Sequence, residues 1–269
     1  MSMIDYSELS IRARLAAFDA IELAEPEIAV PSFSTLNNRY DDEGDYVPAE
    51  GDKHASTSGS SLMTFEEDMS QQNVFDVETC TYFAQRAASK KFDKKAQIVK
   101  WYEEYTHVLG VIGWNLRSYQ FQEMKTNNTS VSIDQMAVRL MAGAAAGGGG
   151  IVASLLASFK ESLNALAQKD QPLKAFDRHT STDRNGGFQM MPCGETKAGL
   201  VKALLNCNYY EAKINKGKVL FVSWNKSDLR LYGSAQLSTM NPTVFANFRD
   251  EIETRLGERR REDFEKIEI

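Results

Sequence analysis

Few residues in this chain have the types and spacing for covalent chemistry. There are three histidines and three cysteines. His179 stands in the charged stretch Asp177-Arg178-His179-Thr180, with Asp183 and Arg184 just beyond and Cys193 fourteen positions on. A thiolate nucleophile needs a base or cation beside it to lower the thiol pKa. Cys193 with His179 is therefore the one pair able to run a hydrolase-like reaction, and nothing in the spacing brings the two together. His107 falls among Tyr105, Val108 and Leu109 at helical spacing, the setting of a packing histidine, and His54 lies in a polar stretch. No two histidines share ligand spacing, and neither HExxH nor CxxC occurs. No catalytic residue is assigned, and no metal or cofactor is expected.

Gly147, Gly148, Gly149 and Gly150 form a run that a phosphate could tempt. GGGGIV lacks the lysine and hydroxyl of a phosphate-binding loop, follows no expected strand and fails the GxGxxG frame. The run instead sits inside residues 140–159, LMAGAAAGGGGIVASLLASF, which carry no charge between Arg139 and Lys160. As one helix this stretch would reach ~30 Å, about the hydrocarbon thickness of a bilayer. Each glycine costs roughly 1 kcal/mol against alanine in a helix interior, so the pattern predicts two apolar halves joined at the glycines. The hairpin spans 133–166, and its second half repeats Ile151, Leu155, Phe159, Leu163 and Leu166 on one face.

Around this stretch the expected elements follow in order. Residues 1–24 hold a first helix capped near Ser7, with Ile11, Leu15 and Phe18 inward. Residues 25–61 are rich in proline, acidic and small polar residues and predict an extended or flexible strap. Residues 62–171 predict a helical domain. It begins with a short helix over 62–75 whose Thr64 and Glu67 would form a capping box. Helical periodicity then runs from 77 to 119, broken at SKKFDKK (89–95). Within it Gly110 and Gly113 offer small faces for helix packing, and Trp101 and Trp114 supply bulk.

Residues 172–269 predict a small α+β region. It has a short helix at 197–205, an antiparallel hairpin over 209–224 turning at Asn215-Lys216-Gly217, a further strand at 228–237 and a terminal helix over 243–265. The expected fold class is α+β, mainly helical: long amphipathic helices around an apolar Gly/Ala-rich hairpin, with a small C-terminal antiparallel sheet and a terminal helix.

Composition bounds the function. Hydrophobic content of 42% and charged content of 25% are those of an ordinary globular protein. The net charge of −6 argues against a nucleic-acid partner, because a phosphate backbone selects basic surfaces. Cys80, Cys193 and Cys207 are too few for a disulfide framework, although a Cys193–Cys207 bridge is compatible with the spacing. The opening residues MSMIDYSELS show no basic segment followed by an apolar one. Synthesis in the cytoplasm is expected, with any release by another route.

Two functions are carried forward. In the first, the chain oligomerises on a lipid membrane and inserts the hairpin. Its insertion or hinge residues would be Leu140, Met141, Gly143, Gly147, Gly148, Gly149, Gly150, Ile151, Val152, Leu155, Leu156 and Phe159. In this design the chain is similar to helical pore-forming toxins over residues 77–168, a likeness that no shared motif carries. In the second, the apolar run is buried core, and the chain self-assembles or binds a protein partner.

Overall fold

The computed structural model describes residues 9–25, 54–116, 120–146, 150–167, 180–182, 184–214, 216, 218–257 and 265–268. Its centre is a nine-stranded sheet. In chain order the main strands are β1 (His54–Ser58), β2 (Ser61–Phe65), β3 (Trp114–Asn115), β7 (Asn185–Glu195), β8 (Val201–Ala212), β10 (Leu229–Met240) and β11 (Glu265–Glu268). Their spatial order is β11-β1-β2-β7-β8-β10-β3. The short strands β4 (Gln122–Glu123) and β6 (Ser181–Thr182) pair with β10 and β7. Strands β2 and β7 run parallel, whereas the other pairs are antiparallel. A separate two-stranded ribbon joins β5 (Ser130–Ser132) to β9 (Ser223–Asn225).

Side-chain alternation along these strands builds two cores. Met63, Phe65, Met191, Cys193, Ala203, Leu205 and Cys207 face one layer of helices. That layer holds α1 (Ile11–Asp19), α2 (Gln71–Lys91), α3 (Ile98–Val111), α6 (Pro242–Phe245) and α7 (Arg249–Leu256). Leu62, Phe188, Met190, Leu204 and Leu231 face the opposite way, toward α4 (Ile133–Ala145) and α5 (Gly150–Leu166). The sheet is thus the middle layer of three.

This corrects the expected fold class: the sheet is a substantial core that gathers strands from 54 to 268, not a small C-terminal addition. Several local expectations change with it. Residues 54–65 are two strands, so Thr64 lies in β2 and α2 begins after Ser70. Residues 201–212 form one long strand in place of a helix at 197–205. No 209–224 hairpin forms: β8 pairs with β7 and β10, and 223–225 pairs with β5. Among the described residues the terminal helix is two short ones, the second ending at Leu256, and β11 begins at Glu265.

The cap of the first helix also shifts. Ser10, not Ser7, caps α1 by accepting from the Ala13 N–H at 3.2 Å. The helix buries Arg14 and Phe18 and leaves Ile11 and Leu15 exposed, because the Arg14 guanidinium donates to the Gly110 and Val111 carbonyls at 2.5 and 3.0 Å. Cys193 and Cys207 are free. Cys193 pairs with Ala203 and Cys207 with Gln189, so the two sulfurs stand four residues apart along neighbouring strands, about 13 Å.

The break expected at 89–95 separates α2 from α3. Pro192 lies inside the central strand β7, where it has no N–H to give. The β7–β8 register lapses at Met191 and Pro192 and resumes unshifted at Cys193.

Candidate functional site

The uncharged run forms the two helices α4 and α5, which lie together on one face of the sheet. Gly147, Gly148 and Gly149 lie outside the described residues, and Gly150 opens α5. Periodicity dictates the inward faces. Ile133, Met136 and Met141 of α4, with Val152, Leu155, Phe159 and Leu163 of α5, are buried against Phe188, Met190, Leu204 and Leu231. Leu140 and Leu156 are half-buried beside them, and the Ile151 side chain lies outside the described set.

Two strand glycines let the helices settle onto the sheet. A Cβ at Gly233 would lie 2.6 Å from Leu140 Cδ2 and 2.9 Å from Asn208 Oδ1. A Cβ at Gly194 would strike the Glu66 carboxylate and lie 2.9 Å from Leu155 Cδ2. Polar contacts fix the two ends of the pair. Near the start of α4 the Asp134 carboxylate accepts from the Ser132 hydroxyl and from the Phe221 N–H at 2.9 Å. Phe221 has φ +57, which costs an L residue roughly 1–2 kcal/mol. Near the start of α5 the Ser154 hydroxyl donates to Glu66 Oε1 at 2.5 Å.

The outward face is unusual for a surface helix. Ala142, Gly143, Ala146, Gly150, Ala153, Ser154 and Ala157 are exposed, with no charge between Arg139 and Lys160. An exterior helix ordinarily carries charged residues on that face. Small uncharged residues instead allow another helix or a lipid chain to approach closely. The other packing residues lie elsewhere: Gly113 (φ +116) sits against Val244 and the Phe245 backbone of α6, the Gly110 carbonyl receives Arg14, and Trp101 and Trp114 are buried.

Energetics hold the pair in place in water. Seven large side chains buried from α4 and α5, at roughly 1.5–3 kcal/mol each, contribute about 10–20 kcal/mol as an upper bound. A whole domain is stable by only about 5–15 kcal/mol. Among the described residues, no helix is long and apolar enough to cross a membrane.

The nucleophile pair finds no support. His179 lies outside the described residues. Cys193 is 1% exposed, and its thiol is pushed well up by burial and further by the Glu66 carboxylate. Its Sγ donates to the Met191 carbonyl at 3.4 Å. His107 is half-buried; burial lowers its pKa, Lys91 adds to this and Glu104 opposes it. Among the described residues no three His, Cys, Asp or Glu side chains are grouped to hold a metal.

One arrangement was not readable in advance. Ser60, between β1 and β2, and Ser61, the first residue of β2, are buried and donate to Gln189 Oε1 at 3.1 and 2.8 Å. Gln85 accepts from the Ser60 N–H at 3.3 Å, and Lys94 donates to the Ser60 hydroxyl while lying 4.6 Å from the Trp101 ring centroid. The polar composition of this stretch predicts a strap, and the partners that bury it lie 24 to 129 residues away, beyond the reach of a local pattern.

No protein-family model matches the chain, and no curated protein does. Among solved structures, it is similar to that of the Evf virulence factor at 13% identity, over 75% of this chain and 84% of that one. The TM-score is 0.37, an overlap that carries no argument about fold or function.

Proposed function

We propose that this is a membrane-active protein that oligomerises on a bilayer and inserts the α4–α5 pair into it. The observation that supports this reading is the exposed uncharged face of Ala142, Gly143, Ala146, Gly150, Ala153, Ser154 and Ala157, opposite an apolar face held to the sheet by packing and by a few polar contacts at its ends. In lipid both faces are satisfied, because small residues pack helix on helix while the larger ones meet acyl chains. Helices of 13 and 17 residues reach about 20 and 26 Å, short of the ~30 Å core, so the pair enters the hydrocarbon without crossing it alone. Release of a trapped dye from vesicles tests the proposal. Leakage at micromolar protein is expected, and intact vesicles at both neutral and acidic pH would reject it.

A second reading rests on the same face: Ala142, Gly143, Ala153 and Ala157 fit a helix of a second copy in water. A dimer or larger assembly in lipid-free buffer, together with inert vesicles, would favour that reading.

A further inference from the structure

The end of the sheet beside the start of α4 carries a concentration of positive charge. The Ala212 N–H donates to the Arg184 carbonyl at 2.7 Å and the Lys213 N–H to the Asp228 carbonyl at 2.9 Å. Arg230 is the cross-strand partner of Glu211. The Lys226 N–H reaches the Thr129 carbonyl at 3.1 Å, one residue before β5. Lys216 Nζ donates to the Ser223 carbonyl at 2.5 Å and lies 5.2 Å from the Trp224 ring centroid. These bonds bring Arg184, Lys213, Lys216, Lys226 and Arg230 to one end of the fold; Lys218 follows Lys216 by two positions, and all six are exposed.

Among the described residues the carboxylates here are Glu211, Asp228 and, at the start of α4, the buried Asp134; Asp228 is engaged by Asn225 and Ser227 at 3.3 and 3.2 Å and Asp134 by the Phe221 N–H at 2.9 Å, while Glu123 and Lys125 alongside are of opposite charge. None of the six cations forms an ion pair among the described residues. So strong a local excess in a chain of net charge −6 is a separation of charge, not a general basicity. Ile214, next to Lys213, is 46% exposed, more than any other large apolar side chain described as exposed.

We propose that this end is a docking surface for an anionic bilayer, with the cations on lipid headgroups and Ile214 at the acyl boundary. Juxtaposed basic residues gain from the negative surface potential of such a leaflet, and an apolar side chain among them gains from entering it. A nucleic acid would use the cations and leave Ile214 idle. The surface does not need hairpin insertion. It does lie at the base of the α4–α5 pair, because β5 runs directly into α4.

The test is sedimentation with vesicles of phosphatidylcholine alone and of phosphatidylcholine with phosphatidylserine, at low and high salt. The full chain should pellet with the anionic vesicles only, and high salt should release it. Lys213→Gln with Arg230→Gln should weaken binding about 25-fold, roughly fivefold per cation, with an unchanged melting temperature. Ile214→Ser should weaken it about tenfold.

Failure to bind, equal binding to neutral vesicles, or an unaffected double variant would overturn the proposal. So would displacement by a single-stranded oligonucleotide that binds through the same residues. Anionic binding without dye release leaves this surface standing and rejects hairpin insertion. Dye release by a double variant that binds as well as the parent rejects the surface and retains the hairpin.

Discussion

The Ser154 hydroxyl donates to the Glu66 carboxylate at 2.5 Å and ties the start of α5 to the end of β2. Ser154 is exposed while the neighbouring Leu155 is buried, so the bond lies on the rim of the apolar seat. Ser154→Ala should cost about 1 kcal/mol, the net value of one such bond. Amide exchange should speed up in α5 more than in α2. Equal protection in both helices would show that the bond does not hold α5.

The two faces of the hairpin should respond oppositely to substitution. Phe159→Ala empties a fully buried site and should cost about 3–5 kcal/mol. Gly143→Ala adds a methyl that meets nothing within 4 Å and should stabilise by about 0.5–1 kcal/mol. Urea midpoints at constant slope measure both. A destabilising Gly143→Ala would mean that something covers the outward face.

Asp76 has a fully buried side chain, and Arg249 grips it through Nε and Nη2 at 2.9 and 2.6 Å, linking α2 to α7. Arg249→Leu leaves a buried carboxylate with, among the described residues, only the Gln72 amide donating to it and should cost about 3–5 kcal/mol. The double variant Asp76→Leu with Arg249→Leu should cost less than Arg249→Leu alone. Additive losses in the cycle would contradict the pairing.

Acid should reveal the cap on α2. Burial raises the pKa of Glu195, but the Ser70 N–H and the Asn73 and Ser70 side chains outweigh it, and the net shift is downward. A carboxylate depressed in the folded state stabilises above its unfolded pKa, and that contribution is lost as pH falls through its folded pKa. The stability difference between the parent and Glu195→Gln should therefore be largest near neutrality and vanish in acid. A difference independent of pH would remove Glu195 as the source.

The helices were largely legible because each shows one face to a core. The repeat of Leu155, Phe159 and Leu163 gave α5, and the break at 89–95 gave α2 and α3. Strands buried on both sides show no such alternation. In β8, Val201, Leu204 and Leu205 sit at helical intervals while pointing to opposite faces of the sheet. In β7 the run NGGFQMMPCGE holds glycine, proline and polar residues that local propensity assigns to a turn. Strand β1 is polar and is held by pairing with β2 and β11, the latter more than 200 residues away. The outward face of the hairpin could be read as uncharged but not as exposed, because exposure depends on which helix face the sheet takes.

The central claim is that α4 and α5 leave the sheet in lipid. Cysteines at Glu66→Cys and Ser154→Cys, joined by a reducible bifunctional thiol crosslinker, would hold α5 to β2, while the buried native Cys80, Cys193 and Cys207 stay out of reach. Dye release from vesicles by the joined protein should be abolished and should return when the crosslink is reduced. Release at the same rate in both states would show that the hairpin never has to move, and would contradict the account.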